Sequence, residues 1–145
     1  MSNDMKIHSR RKAREGVLEA LFSHQYSDVK RDVTVERVLK NKPERIENSE
    51  FITVLFNSVM DNYEWADQII EKHLQNWEFN RVAKVDLVLL RMGICEIYFL
   101  DDIPPKVSIS EMVEISKVYS TDESPVFING ILDTVYKDFQ KKEKI

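Results

Sequence analysis

Residues 82–100, VAKVDLVLLRMGICEIYFL, constrain the fold more than any other stretch. Val82, Val85, Leu87, Val88, Leu89, Leu90, Met92, Ile94, Ile97, Tyr98 and Phe99 fall on nearly every side of a helical wheel. A helix without a polar face has to be a central one, with others packed round it. Its β-branched residues make a buried strand pair the competing reading, and the length without a turn signal decides for the helix. Asp86, Arg91 and Glu96 interrupt the run. It is also shorter than the ~20 apolar residues a membrane span takes.

The rest of the chain supplies the surrounding helices. Three glycines and four prolines in 145 residues leave few turns and favour long helices. Ala13, Val17, Leu18, Leu21 and Phe22 repeat at three and four, so a helix is expected from Arg10 with Ser9 as its cap. A short helix over Thr34–Lys40 precedes a polar connection at Asn41-Lys42-Pro43, and Asn48 or Ser49 opens a longer one. Phe51, Ile52, Leu55, Phe56, Val59, Met60 and Tyr63 mark its apolar face, which continues through Trp65, Ile69, Ile70, His73 and Leu74 after a break near Asn62. Asn76 to Asn80 reads as a connection with Asn80 as a cap, and Pro104-Pro105 as a stop. Ser108 and Glu111 carry the spacing of a capping box.

Residues 124–139, SPVFINGILDTVYKDF, allow two readings. Asn129-Gly130 is a strong hairpin signal. Phe127, Ile131, Val135 and Phe139, however, step by four, as do Ile128, Leu132 and Tyr136. A hairpin needs a period of two, so the helix is preferred, opened by Ser124-Pro125. Gly130 inside it then marks a place where another backbone approaches closely. The sum is an all-α chain of about six or seven helices with no confident strand.

Chemistry-bearing motifs are sparse. His8, His24 and His73 lie far apart, and no metal-binding spacing, phosphate loop, dinucleotide fingerprint or nucleophile elbow is present. Neither cofactor nor metal is expected, and nothing marks an enzyme. Cys95 is the one cysteine; it excludes an intrachain disulfide and fits a reducing, cytoplasmic setting. The N-terminus lacks the apolar core of a signal peptide.

Charge is the informative feature. The net charge is −4, yet Lys6, His8, Arg10, Arg11, Lys12 and Arg14 crowd residues 6–14 without an acid. Setting those five Lys and Arg residues and Asp4 aside from 21 cations and 25 acids leaves sixteen cations and twenty-four acids. A basic end on an acidic body points to a polyanion. Cations on the first turn of a helix also oppose its dipole, a cost that a bound anion offsets. An aromatic, Phe127, stands near another helix start; cations on phosphates and rings on unpaired bases together hold single-stranded RNA.

Three stretches, SRRKAREGVLEALF, NRVAKVDLVLLRMGICEI and VSISEMVEISKVYSTDESPVFINGILDTVY, resemble the bacterial NusB antitermination family, in the family's order and spacing. Residues 27–62 match only in length and apolar pattern. The resemblance implies a bundle of two small helical subdomains sharing one core. The whole chain, 1–145, would be one RNA-binding domain, with 1–7 flexible, 8–76 its N-terminal half and 77–145 its C-terminal half.

The resemblance further implies a factor that binds boxA-type single-stranded RNA with NusE, a small-subunit ribosomal protein. It would join RNA polymerase and other Nus factors on rRNA operons, and be a monomer or a homodimer when free. Arg10, Arg11, Lys12 and Arg14 occupy the family's RNA-contacting segment, with Lys12 lacking the bidentate fork of an arginine. Phe127 matches an aromatic at the RNA surface, and Glu123 lies beside that face, where an acid moderates affinity. Phe22 and Asp86 match positions facing NusE. Four cations on phosphates imply a slope of log affinity against log salt of about −3. A helical protein–protein adaptor without direct RNA binding is the alternative.

Overall fold

The structure, a computed structural model, describes residues 3–75 and 78–143, and the side chains of all of these except 3, 4, 6, 7 and 143. Seven α-helices and two short 3-10 turns make up the regular structure of the described residues, which contain no strand. The helices are α1 (Asn3–His24), α2 (Arg31–Asn41), α3 (Ser49–Asp61), α4 (Tyr63–His73), α5 (Lys84–Phe99), α6 (Pro105–Tyr119) and α7 (Ser124–Glu143). The 3-10 turns are Pro43–Asn48 and Phe79–Arg81. Two compact units divide the chain, Met1–Met60 and Asp61–Ile145. The helix break expected near Asn62 is present: its backbone leaves the helical region at φ −120°.

In the first unit α1 packs on α2 and on the 3-10 turn. Its stripe of Ala13, Val17, Leu18 and Leu21 is buried as the period requires, together with Val35 and Val38 of α2 and Ile52, Leu55, Phe56 and Val59 of α3. Arg45, 1% exposed, pins the 3-10 turn to both helices. Its Nη1 donates to Glu19 of α1 at 2.7 Å and to the Val38 carbonyl of α2 at 3.3 Å. The His24 ring meets Phe56 edge-on at 5.6 Å and its Nδ1 lies 2.7 Å from the Thr34 hydroxyl, so one side chain joins three helices.

In the second unit α5 packs against α4, α6 and α7, as an all-round apolar helix must. Every residue from Val88 to Ile97 is buried, and each large apolar one contributes roughly 1.5–3 kcal/mol. Cys95 is core packing. The three polar residues of the run are buried with partners. Arg91 forks onto Asp67 of α4, Nε to Oδ1 at 2.7 Å and Nη2 to Oδ2 at 3.2 Å, while its guanidinium covers the Tyr63 ring at 4.0 Å. Glu96 accepts a hydrogen bond from Ser108 at 2.8 Å.

Several local expectations give way. α1 begins at Asn3, so Ser9 lies inside the helix and caps nothing. Arg10, Arg11, Lys12 and Arg14 consequently stand beyond the first turn, and the dipole penalty argued for them does not apply, because that field fades within one turn. Asn80 sits in a 3-10 turn, and α5 is preceded by Ala83. Pro105 opens α6, which places Ser108 and Glu111 a turn inside it, buried, rather than in a capping box. Ser124 is the first residue of α7, and its hydroxyl bonds outside its own helix. Residues 124–139 are helical, yet among the described residues no atom outside its chain neighbours and its own helix backbone would meet a Cβ at Gly130 within 4 Å. The close approach is at Gly93 instead, where a Cβ would stand 2.7 Å from Leu132 Cδ1.

These two glycines should respond oppositely to alanine. Gly130→Ala should raise stability by about 1 kcal/mol through helix propensity. Gly93→Ala should lower it, since an extra methyl in a packed core costs roughly 1–3 kcal/mol. Urea unfolding midpoints of the two variants check both signs.

Candidate nucleic-acid interface

The basic segment lies on α1 in the first unit. Arg10 is half-buried and held from two sides: Nε donates to Asn48 Oδ1 at 2.9 Å, and the guanidinium sits 4.3 Å from the Phe51 ring centroid. Asn48 Nδ2 donates in turn to Ser9 Oγ at 2.7 Å, and the Ser9 hydroxyl donates to Glu47. Arg11 is half-buried, and Lys12 and His8 are exposed. Arg14 departs from the expectation. It is 2% exposed, with its guanidinium 5.2 Å from the same Phe51 ring, and offers a ligand almost no surface. The side chain of Lys6 lies outside the described residues. Phe22, also on α1, is half-buried with its ring 5.9 Å from Tyr26, which is 65% exposed.

The second unit carries Phe127 and Asp86. Phe127 is half-buried on the first turns of α7, and lines a groove of about 280 Å³ with Val126, Gly130, Ile131 and Thr134 of α7 and His73, Leu74 and Gln75 at the end of α4. Asp86 is 5% exposed and engages both carboxylate oxygens internally, accepting from Ser120 at 2.6 Å and from Ser124 at 2.9 Å. Thr121 N–H donates to the Ser124 hydroxyl at 3.2 Å. Asp86 therefore ties the start of α5 to the 120–124 turn between α6 and α7. An acid in the first turn also complements the helix dipole.

His73 sits beside this groove with Nε2 3.2 Å from Asp138 Oδ2; Lys72 Nζ is 3.9 Å from the same oxygen. Burial pushes the imidazole below its ordinary pKa; Asp138 pulls it back, and Lys72 and Lys142 push it further down. Among the described residues no group of three or more His, Cys, Asp or Glu side chains could hold a metal ion, and no helix is long and apolar enough to cross a membrane.

Sequence reasoning did not reach Asn48, Glu47 and Phe51 as supports of the basic segment, because they lie 37–41 positions further along the chain and no local pattern links them. Tyr26 was within reach: it stands four residues after Phe22, in the turn just past the end of α1.

An all-helical chain in two small units, with a braced arginine cluster on its first helix, is the kind of protein this geometry defines. The NusB family profile matches residues 11–137. A relative from Chloroherpeton thalassium, "Transcription antitermination protein NusB", is 42% identical over 94% of this chain and 65% of its own length. The protein of the same name from Listeria welshimeri is 40% identical over 87% of this chain and 94% of its own. A structure of T. maritima NusB superposes with a TM-score of 0.77 at 34% identity, covering 88% of this chain and 90% of that one. A crystal structure of antitermination factors NusB and NusE in complex with dsRNA gives 0.78 at 25% identity, covering 90% and 98%. The chain belongs to the NusB family.

Two outcomes check the second unit. Asp86→Ala should cost about 1.5–3 kcal/mol, the value of hydrogen bonds to a charged group, in equilibrium unfolding. Burial disfavours the charged His73 ring in the folded state, so as pH falls through the ordinary histidine value of about 6.5 the unfolded chain binds more protons and stability falls with falling pH. His73→Gln should accordingly lose less melting temperature than the parent between about pH 7.5 and 5.5.

Proposed function

We propose that this chain is a transcription antitermination factor that binds boxA-type single-stranded RNA together with NusE and helps RNA polymerase read through rRNA operons. The observation that carries the reading is the Arg10–Lys12 cluster, mounted on α1 of a chain whose remaining charge is acidic. Arg10 is aimed by Asn48 and Phe51, so little side-chain freedom is left to lose when it meets a phosphate. Arg11 and Lys12 add sequence-independent attraction. Phe127 supplies a ring for an unpaired base. Arg14 acts as a support beneath the cluster, stacked near Phe51.

The Phe22–Tyr26 pair is the protein-binding face of the first unit, and Asp86 holds the 120–124 turn of the second. The acidic remainder steers a basic ribosomal partner to the complex. RNA polymerase and other Nus factors are reached through the assembled complex, and the free chain is a monomer or a homodimer.

Binding of labelled boxA-type single-stranded RNA, with and without NusE, tests the reading. Replacing Arg10, Arg11 and Lys12 together by alanine should weaken binding tenfold or more. Three exposed or half-exposed cations on phosphates give a slope of log affinity against log salt of about −2. A duplex of the same sequence should compete poorly, since stacking on Phe127 needs an unpaired base. If the triple variant binds RNA like the parent, the adaptor reading replaces this one.

A further inference from the structure

The 3-10 turn Pro43–Asn48 faces the wrong way for simple apolar burial. Arg45 is 1% exposed, while its neighbour Ile46 is 59% exposed. Arg45 is also incompletely satisfied inside. Its Nη1 has two partners, Glu19 at 2.7 Å and the Val38 carbonyl at 3.3 Å. The buried Nε and Nη2 find none among the described residues. Unpaired buried donors are costly, and an apolar side chain in place of a buried ion pair is often neutral or stabilising. The stability of the turn therefore gives no reason for this facing.

The contacts of Arg45 show what the facing achieves. Its side chain lies flat on the α1 backbone at Gly16, where a Cβ would stand 3.1 Å from Arg45 Cδ and Nε. Glu19, three residues along the same helix, takes its Nη1. Residues three apart eclipse in a 3-10 helix, so a turn held at Arg45 presents Asn48 on the same side, toward α1. There Asn48 Oδ1 accepts from Arg10 Nε at 2.9 Å, and Asn48 Nδ2 donates to Ser9 Oγ at 2.7 Å. Turning Ile46 inward instead would rotate Asn48 off α1 by about 120°.

We infer that Arg45 is a positioning residue for RNA binding: by fixing which side of the 43–48 turn meets α1, it holds Asn48 on Arg10 and so keeps Arg10 ready for a phosphate. The inference rests on the RNA-binding reading above and extends it to a buried residue that no ligand touches. The directional bonds to Glu19 and the Val38 carbonyl select one facing of the turn, a choice that apolar area alone would leave to Ile46. Such a role leaves the charge of the basic segment unchanged and acts only on the freedom of Arg10.

Arg45→Met and Asn48→Ala, each in the full chain with NusE, test it against boxA-type single-stranded RNA by fluorescence anisotropy over a salt series. Methionine fills the site without unpaired nitrogens, and Glu19, whose side chain is 33% exposed, can be hydrated in its absence. Arg45→Met should therefore melt at or above the parent temperature, yet bind RNA about two- to tenfold more weakly, the cost of ordering one long side chain. Asn48→Ala should lose affinity to the same extent. The salt slope should stay near the parent value in both, because no cation is removed, whereas Arg10→Ala should flatten it by about 0.7. In an Arg10→Ala background neither substitution should weaken binding further; an Arg45 that merely supports the fold would keep its effect there. Parental affinity in Asn48→Ala, or a loss in Arg45→Met that persists without Arg10, overturns the inference. A large loss on neutralising Arg10, Arg11 and Lys12 would then leave the RNA-binding reading standing. Failure of the parent to bind the strand at all removes both.

Discussion

The second unit depends on how α5 is buried. An apolar helix that faces protein on all sides gains its stability from area alone, and area does not choose an orientation. The three polar residues supply the choice. Asp86 can be satisfied only where Ser120 and Ser124 meet it, which fixes the α6–α7 turn at the start of α5. Arg91 requires Asp67, which fixes α4. Glu96 takes Ser108, which fixes the register of α6. Each carboxylate or guanidinium would be costly if left alone in the interior, so misaligned packings are disfavoured even where their apolar burial is equal. Gly93 adds a steric condition, because only the bare backbone admits Leu132.

The first unit solves a different problem, that of holding like charges together. Arg10 and Arg14 both lie against one aromatic ring, Phe51, and Arg10 is steadied by Asn48. A ring face attracts cations, and an amide oxygen neutralises none of their charge. Neither support neutralises Arg10, and its geometry is restrained. Arg45, buried with Glu19 and the Val38 carbonyl, anchors the turn that carries Asn48. The positioning of a surface cation thus traces back to an ion pair whose arginine is buried.

Much of the secondary structure was legible because it is written in local periodicity. The stripe Ala13–Val17–Leu21 and the four-residue steps of α7 identify their helices without tertiary help. The termini were less legible. Ser9, Asn80 and Ser108 each carry capping chemistry, yet their hydroxyl or amide groups found better use or other surroundings. Ser9 serves Glu47 and Asn48, and Ser108 serves Glu96. A short polar side chain near a helix start has the same sequence signature whether it caps or bridges. The glycines misled for a related reason: sequence reports that a Cβ is missing, not what occupies the space.

What the sequence by itself determined is the all-helical class, the central place of residues 82–100, the basic first helix on an acidic chain and the NusB resemblance. All of these follow from composition, period and order along one dimension. Only the tertiary structure decided that Arg14 and Asp86 are buried, that Arg10 is braced across 38 residues of chain, and that Gly130 opens onto a groove while Gly93 is filled. Those outcomes depend on which distant atoms share a neighbourhood, and contacts between residues far apart in the chain leave no periodic trace in it.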